Sequence, residues 1–185
     1  MASKTKSENP NFLKNIGDEL FEMNARKFVR DVDLGLLPIE GAAEPYQKVT
    51  HDITVGYVST PDFSPVDFIT NEDTALRFAP DATVGGSNWV SFEMPVVPNG
   101  NKCAFVVQVN MGVDRVVYPD VFVRNTHTGV DFRPNKVAVL SPKASEMFLV
   151  INLDNVAEND PHTFTMIFTT GSFDLKISSI TYVSM

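Results

Sequence analysis

From Ile53 onward the apolar residues of this chain fall at every second position, in short runs. Ile53, Val55 and Tyr57 form the first run. Val90, Phe92, Met94 and Val96 follow, then Cys103, Phe105, Val107, Val109 and Met111. Val121 and Val123, Met147 to Leu153, and Phe164, Met166 and Phe168 repeat the pattern. Successive side chains of a strand point to opposite faces, so each run has one apolar and one polar face. That is the signature of antiparallel sheets with one side in water. About eight to ten such strands, separated by turn signals, predict a sandwich or barrel. Shorter strands are expected at "ALRF" (Ala75 to Phe78) and "KVAVL" (Lys136 to Leu140).

Three local features refine this picture. Asn99-Gly100 separates two alternating runs and predicts that "WVSFEMPVV" and "CAFVVQVNM" pair as a hairpin. Pro95 has no amide hydrogen to give to a ladder, so its strand should be at an edge or bulged there. In the last run, Phe173, Leu175 and Ile177 lie on one parity, whereas Ile180 and Tyr182 lie on the other. An inserted residue reverses the faces of all that follows, so a β-bulge is predicted at Ser178-Ser179. The strand carrying it is expected to lie inside its sheet.

The first fifty residues follow another rule. Asn9-Pro10 reads as a cap followed by proline at the first helical position. Phe12, Leu13, Ile16, Leu20 and Met23 recur at helical spacing, with Phe21, Ala25 and Phe28 as a second row. A helix is expected to about Arg30, and Gly35 and Pro38 end it. "GLLPIEGAAEPYQKVT" reads as an extended connector. The expected organisation is therefore an N-terminal amphipathic helix and extended arm over 1–50 and a β-sandwich over 51–185. The helix must bury its apolar rows in its own domain or against a neighbouring subunit. Phe12, Leu13, Ile16, Leu20, Phe21 and Phe28 are the candidate oligomer contacts.

Charge is unevenly spread over a chain of net charge −8. The first thirty residues carry six Lys/Arg against four Asp/Glu, so the remainder, with a net charge of −10, is strongly acidic. Such a body repels nucleic acid. No apolar stretch is long enough to span a bilayer, and "MASKTKSENPNF" has no apolar segment behind its lysines. The expectation is synthesis in a host cytoplasm without a secretion signal. The single cysteine, Cys103, sits in an apolar run and reads as a small buried hydrophobe.

No spacing among His51, His127 and His162 suits a metal, and no nucleophile, phosphate-loop or dinucleotide motif occurs. An enzyme is not expected. The loop carrying Asp154, Glu158 and Asp160 offers the hard oxygen ligands calcium prefers, but lacks the EF-hand spacing; a solvated hairpin loop accounts for it. No cofactor is expected.

From Ala75 onward the order of segments resembles the jelly roll of carbohydrate-binding modules and galactose-binding-like domains. A short strand, "ALRF", precedes a tryptophan strand, "NWVSFEMPV". A turn and a long apolar strand, "NGNKCAFVVQVNM", come next, and "MFLVINL", "HTFTMIF" and "LKISSITYV" complete the order. The resemblance implies a jelly-roll sandwich that stacks sugar rings on exposed aromatics, for which Trp89, Tyr118 and Tyr182 are candidates, Trp89 and Tyr118 foremost. Ser178 and Ser179 stand where that family often has a calcium-holding aspartate. A cysteine-poor, acidic sandwich on a helical arm also resembles accessory virion proteins of tailed bacteriophages, such as head decoration (cement) proteins. That resemblance implies a structural virion protein, homo-oligomeric, docked on a major capsid or tail protein. A non-catalytic glycan-binding module is the alternative it competes with.

Overall fold

The computed structural model describes residues 28–38, 44–57, 69–72, 75–78, 89–112, 115–143, 146–154, 160–169 and 174–184. Their strands are β1 (Phe28–Asp31), β2 (Gln47–Lys48), β3 (Thr54–Tyr57), β4 (Ile69–Glu72), β5 (Ala75–Phe78) and β6 (Trp89–Val96). β7 (Lys102–Met111), β8 (Asp120–Asn125), β9 (Asp131–Phe132), β10 (Glu146–Asn152), β11 (His162–Thr169) and β12 (Leu175–Ser184) follow. They form two antiparallel sheets, a sandwich as the alternation predicts. The first has the order β10-β7-β12-β5-β4, with β1 also paired to β12. The second has the order β2-β3-β6-β11-β8-β9.

The alternating residues meet between the sheets. Phe105 of the first sheet and Phe164 of the second stack with ring centroids 4.1 Å apart. Around them pack Leu76, Val107, Leu149, Ile151, Ile177 and Ile180 on one side, and Val55, Phe92, Met94, Val123 and Met166 on the other. Burying each large apolar side chain contributes about 1.5–3 kcal/mol relative to leaving it in water.

The bulge is where the parity change places it. Ile177 pairs with Val109 and Ser179 with Gln108, which leaves Ser178 as the extra residue. Ile177 and Ile180 therefore both reach the core. β12 is interior: β7 flanks one side, and β5 and β1 share the other. Pro95 lies opposite Thr163 of β11, beyond the point where β3 stops at Glu93.

Three expectations are corrected. Residues 10–27 of the expected helix lie outside the described residues. Its last part, Phe28 to Arg30, is strand: Phe28 aligns with Ser184, Val29 with Val183 and Arg30 with Tyr182. Val29 and Val32 are β-branched, and an open side of β12 is available, so ladder pairing overrides the helical period. Asn99-Gly100 does not close a hairpin. β6 belongs to the second sheet and β7 to the first, so this turn carries the chain between sheets. Lys136 to Leu140 is not a strand; Leu140 makes a single bridge, to Val117.

The segment after β1 is woven into the sandwich. Val32, Leu34 and Leu36 pack on the core, and Leu36 bridges to Thr50. Asp52 receives the Asp33 amide at 2.9 Å and a hydrogen bond from the Arg30 guanidinium.

Candidate functional site

The outer face of the second sheet is built by the residues that alternate with the core. On β6 these are Trp89, Ser91 and Glu93. On β11 they are Thr163, Thr165 and Ile167, and on β8 Asp120, Phe122 and Arg124. The registers set them in rows across the three strands. Glu93, Thr165 and Phe122 make one row, and Ser91, Ile167 and Asp120 the next. Trp89 closes one end and Arg124 with Thr163 the other. With Tyr46 and Thr126 these residues line an open groove of about 460 Å³.

Tyr46 and Trp89 form the aromatic end. Their ring centroids are 6.3 Å apart and their planes inclined by 55°. Tyr46 comes from the turn before β2, has a positive φ of 60° and is 59% exposed. It can lie over β3 because Gly56 has no side chain: a Cβ there would stand 2.9 Å from Tyr46 Cε1 and 2.4 Å from Ser91 Oγ.

The middle of the groove is polar. Ser91 Oγ donates to Glu93 Oε1 at 2.7 Å. Phe122, also on this face, is buried because two guanidinium groups cover it. Arg124 lies 5.0 Å and Arg133 5.2 Å from its ring centroid. Each cation is held by a carboxylate. Asp131 accepts from Arg124 Nε at 2.6 Å and from Nη2 at 2.9 Å, and Asp120 accepts from Arg133. The Arg124 hydrogen bonds hold the Asp131 carboxyl below its ordinary value, although partial burial opposes this. Planar guanidinium over an aromatic face, fixed by a bidentate carboxylate, is a rigid arrangement.

The groove can therefore offer two inclined aromatic rings at one end, and the Thr163 hydroxyl and the Glu93 and Asp120 carboxylates along its length. Chains of sugar rings present the complement: a C–H face for stacking and hydroxyls that both donate and accept.

Of the residues singled out from the sequence, the structure brings only Trp89 into this groove. Tyr118 is 64% exposed but lies outside the lining, in the segment before β8. Tyr182 is a core residue, not a platform. Phe12, Leu13, Ile16, Leu20 and Phe21 lie outside the described residues, and Phe28 is part of β1. Asp154 is exposed, Glu158 lies outside the described residues, and Asp160 accepts a hydrogen bond from Asn125 at 3.1 Å. Among the described residues no group of three His, Cys, Asp or Glu could hold a metal ion. His51 and His127 are exposed, whereas His162 is buried, its Nδ1 2.7 Å from the Asp160 carbonyl.

No family model and no curated protein matches this chain. Among solved structures, a xylan-binding module, CBM15, matches with a TM-score of 0.52 at 13% identity, over 86% of this chain and 97% of that one. A family 29 carbohydrate-binding module matches with a TM-score of 0.44 at 13% identity, over 86% and 90% of the two chains. Xylanase 10C from Cellvibrio japonicus, in complex with xylopentaose, matches with a TM-score of 0.47 at 14% identity, over 83% of this chain and 28% of that one. The likeness to the xylan-binding module is one of fold: this chain has the β-sandwich of a carbohydrate-binding module.

Proposed function

We propose that the protein is a non-catalytic carbohydrate-binding module that holds a glycan chain in the groove on its second sheet. The observation that carries this reading is the Tyr46–Trp89 pair at the end of an open groove floored by Ser91, Glu93, Thr163 and Thr165. A sugar ring stacks at the aromatic end. Its neighbours along the chain hydrogen-bond to the Thr163 hydroxyl and to Glu93 and Asp120, whereas Ser91 and Thr165 are buried beneath them. The fold shared with a xylan-binding module supports the reading. Docking on a virion, the other expectation, rests on arm residues outside the described ones, and the solved structures named above lend it no support.

The test is titration with soluble neutral polysaccharides, followed by calorimetry and by the fluorescence of the single tryptophan. Binding that perturbs Trp89 emission and falls at least about tenfold in Trp89→Ala, equal to about 1.4 kcal/mol, is the expected result. Absence of binding at millimolar sugar-ring concentration, or full affinity in Trp89→Ala, would overturn it.

A further inference from the structure

The charges of the groove are unevenly matched. Arg124 and Arg133 are its cations, and each already holds a carboxylate, Asp131 and Asp120 respectively. Both guanidiniums also lie over the Phe122 ring, which fixes them away from a ligand. Glu93 is the third carboxylate, and among the described residues none of the ion pairs includes it. Its hydrogen-bond donor is a neutral group, the Ser91 hydroxyl, at 2.7 Å. Lys48, the next cation in its row, lies two strands away beyond Thr54, with Nζ 3.4 Å from the His51 carbonyl. Glu93 is partly exposed and borders the aromatic end of the groove. A Cβ on Gly56 would stand 2.9 Å from Tyr46 Cε1 and 3.3 Å from Glu93 Oε1, so ring edge and carboxylate flank the same spot. Trp89, inclined at 55° to Tyr46, adds a second aromatic face.

We propose that the glycan held in this groove carries free amino groups, and that Glu93, beside Tyr46 and Trp89, selects them. The proposal rests on the groove being a glycan site and narrows its ligand to amino sugars. Charge is the first argument. Glu93, Asp120 and Asp131 outnumber Arg124 and Arg133, in a chain of net charge −8. A uronate or sulfate entering the groove meets these carboxylates and must displace one of them to reach a guanidinium. An ammonium meets a carboxylate that has no cation of its own. Partial burial leaves that attraction less screened than it is between fully exposed charges. Hydrogen bonding is the second argument. A carboxylate only accepts, and Ser91 uses one of its several acceptor positions. A sugar hydroxyl offers it one neutral donor. An ammonium offers three, and charge on both partners makes such bonds markedly stronger. The aromatic pair is the third. A pyranose stacked there carries its equatorial substituents at the ring's edge, beside Glu93. A cation at that place is also attracted by the faces of Tyr46 and Trp89, whereas an anion is repelled.

The test is calorimetric titration of the full chain with three β-1,4-linked tetrasaccharides of equal length. One is built of glucose, one of glucosamine and one of glucuronic acid. The glucosamine tetramer is expected to bind at least about tenfold more tightly than the glucose tetramer at low salt, and the glucuronate tetramer most weakly. The ratio of the first two affinities is the readout, because Glu93 also serves neutral chains. In Glu93→Gln that ratio should fall to within about twofold of unity. Asp154→Asn removes the same charge from an exposed position after β10, outside the groove, and should keep the ratio. Equal binding of the glucose and glucosamine tetramers by the unaltered chain would overturn the proposal and leave the glycan reading standing. A ratio that survives Glu93→Gln, or that Asp154→Asn lowers as much, would overturn it too, by showing a general attraction of cations to an acidic chain. Preference for the glucuronate tetramer would reverse it. Binding of none of the three would bring down the glycan reading itself.

Discussion

Tyr182 and Val97 are joined across the sandwich: the phenol of β12, in the first sheet, donates to the carbonyl just past the end of β6, in the second, at 2.7 Å. Ser184, two residues on, accepts the amide of Asn99. These two bonds hold the turn that carries the chain from one sheet to the other. Burial is the main force raising the Tyr182 phenol far above its ordinary value, so it remains a donor at any ordinary pH. Tyr182→Phe is expected to lower stability by about 1 kcal/mol, the usual net worth of such a bond. It also strands the Val97 carbonyl. Urea unfolding, with an unchanged m-value, measures the loss.

Gly56 gives a second, separable prediction. A methyl group at this position collides with Ser91 Oγ and Tyr46 Cε1. Gly56→Ala should therefore displace Tyr46 from Trp89 while the β3–β6 ladder persists. Trp89 emission should shift, and glycan affinity should fall, with far-ultraviolet circular dichroism unchanged. An unaltered Trp89 spectrum would show that the ring pair does not depend on the glycine.

How much of this was legible in advance differs from element to element. The bulge at Ser178 was readable because a face reversal is written in the parity of Ile177 and Ile180. The core was readable for the same reason. Sheet membership was not: Asn99-Gly100 has the same residues whether it closes a hairpin or crosses a sandwich, and only Tyr182 and Ser184, far along the chain, decide. Arg30 shows the opposite limit, because a helical stripe ran on through Phe28 where pairing with Val183 and Ser184 prevails. In the groove, Trp89 could be picked out as a rare aromatic. Tyr46 lay in a connector read as mere spacing. Thr163, Thr165 and Ser91 looked like any wet face, since nothing local says that β6, β8 and β11 are neighbours. Glu93, Asp120 and Arg124 were missed on the same ground.

Cys103 allows a direct check of the core. It is fully buried, and burial pushes its thiol up to about 11, against smaller opposing effects of its hydrogen-bonding neighbours Tyr182 and Ser184. The thiolate is the reactive form. Iodoacetamide at neutral pH should leave the native protein unmodified for hours and label it stoichiometrically in denaturant. Rapid native labelling would mean that β7 and β12 open locally.

The ion pairs predict an acid limit. Asp174 receives two hydrogen bonds from Arg77, at 2.8 and 2.9 Å, and these hold its carboxyl below the ordinary 3.8. Arg124 does the same for Asp131. A carboxyl depressed on folding binds fewer protons in the folded state than in the unfolded chain, so stability rises with pH between the two values. The contribution is complete above the unfolded value, about pH 4, and is lost as pH falls through the folded one. The Arg77–Asp174 pair ties β5 to the residue that precedes β12, whereas Arg124–Asp131 ties β8 to β9 beside the groove. Both are partly exposed, so each effect is modest and weakened by salt. The urea midpoint should be flat from about pH 7 to 5 and fall below about pH 4, and Asp174→Asn should make that fall shallower. An Asp174→Asn curve parallel to the unaltered one through the acid range would show that the pair contributes nothing to folding.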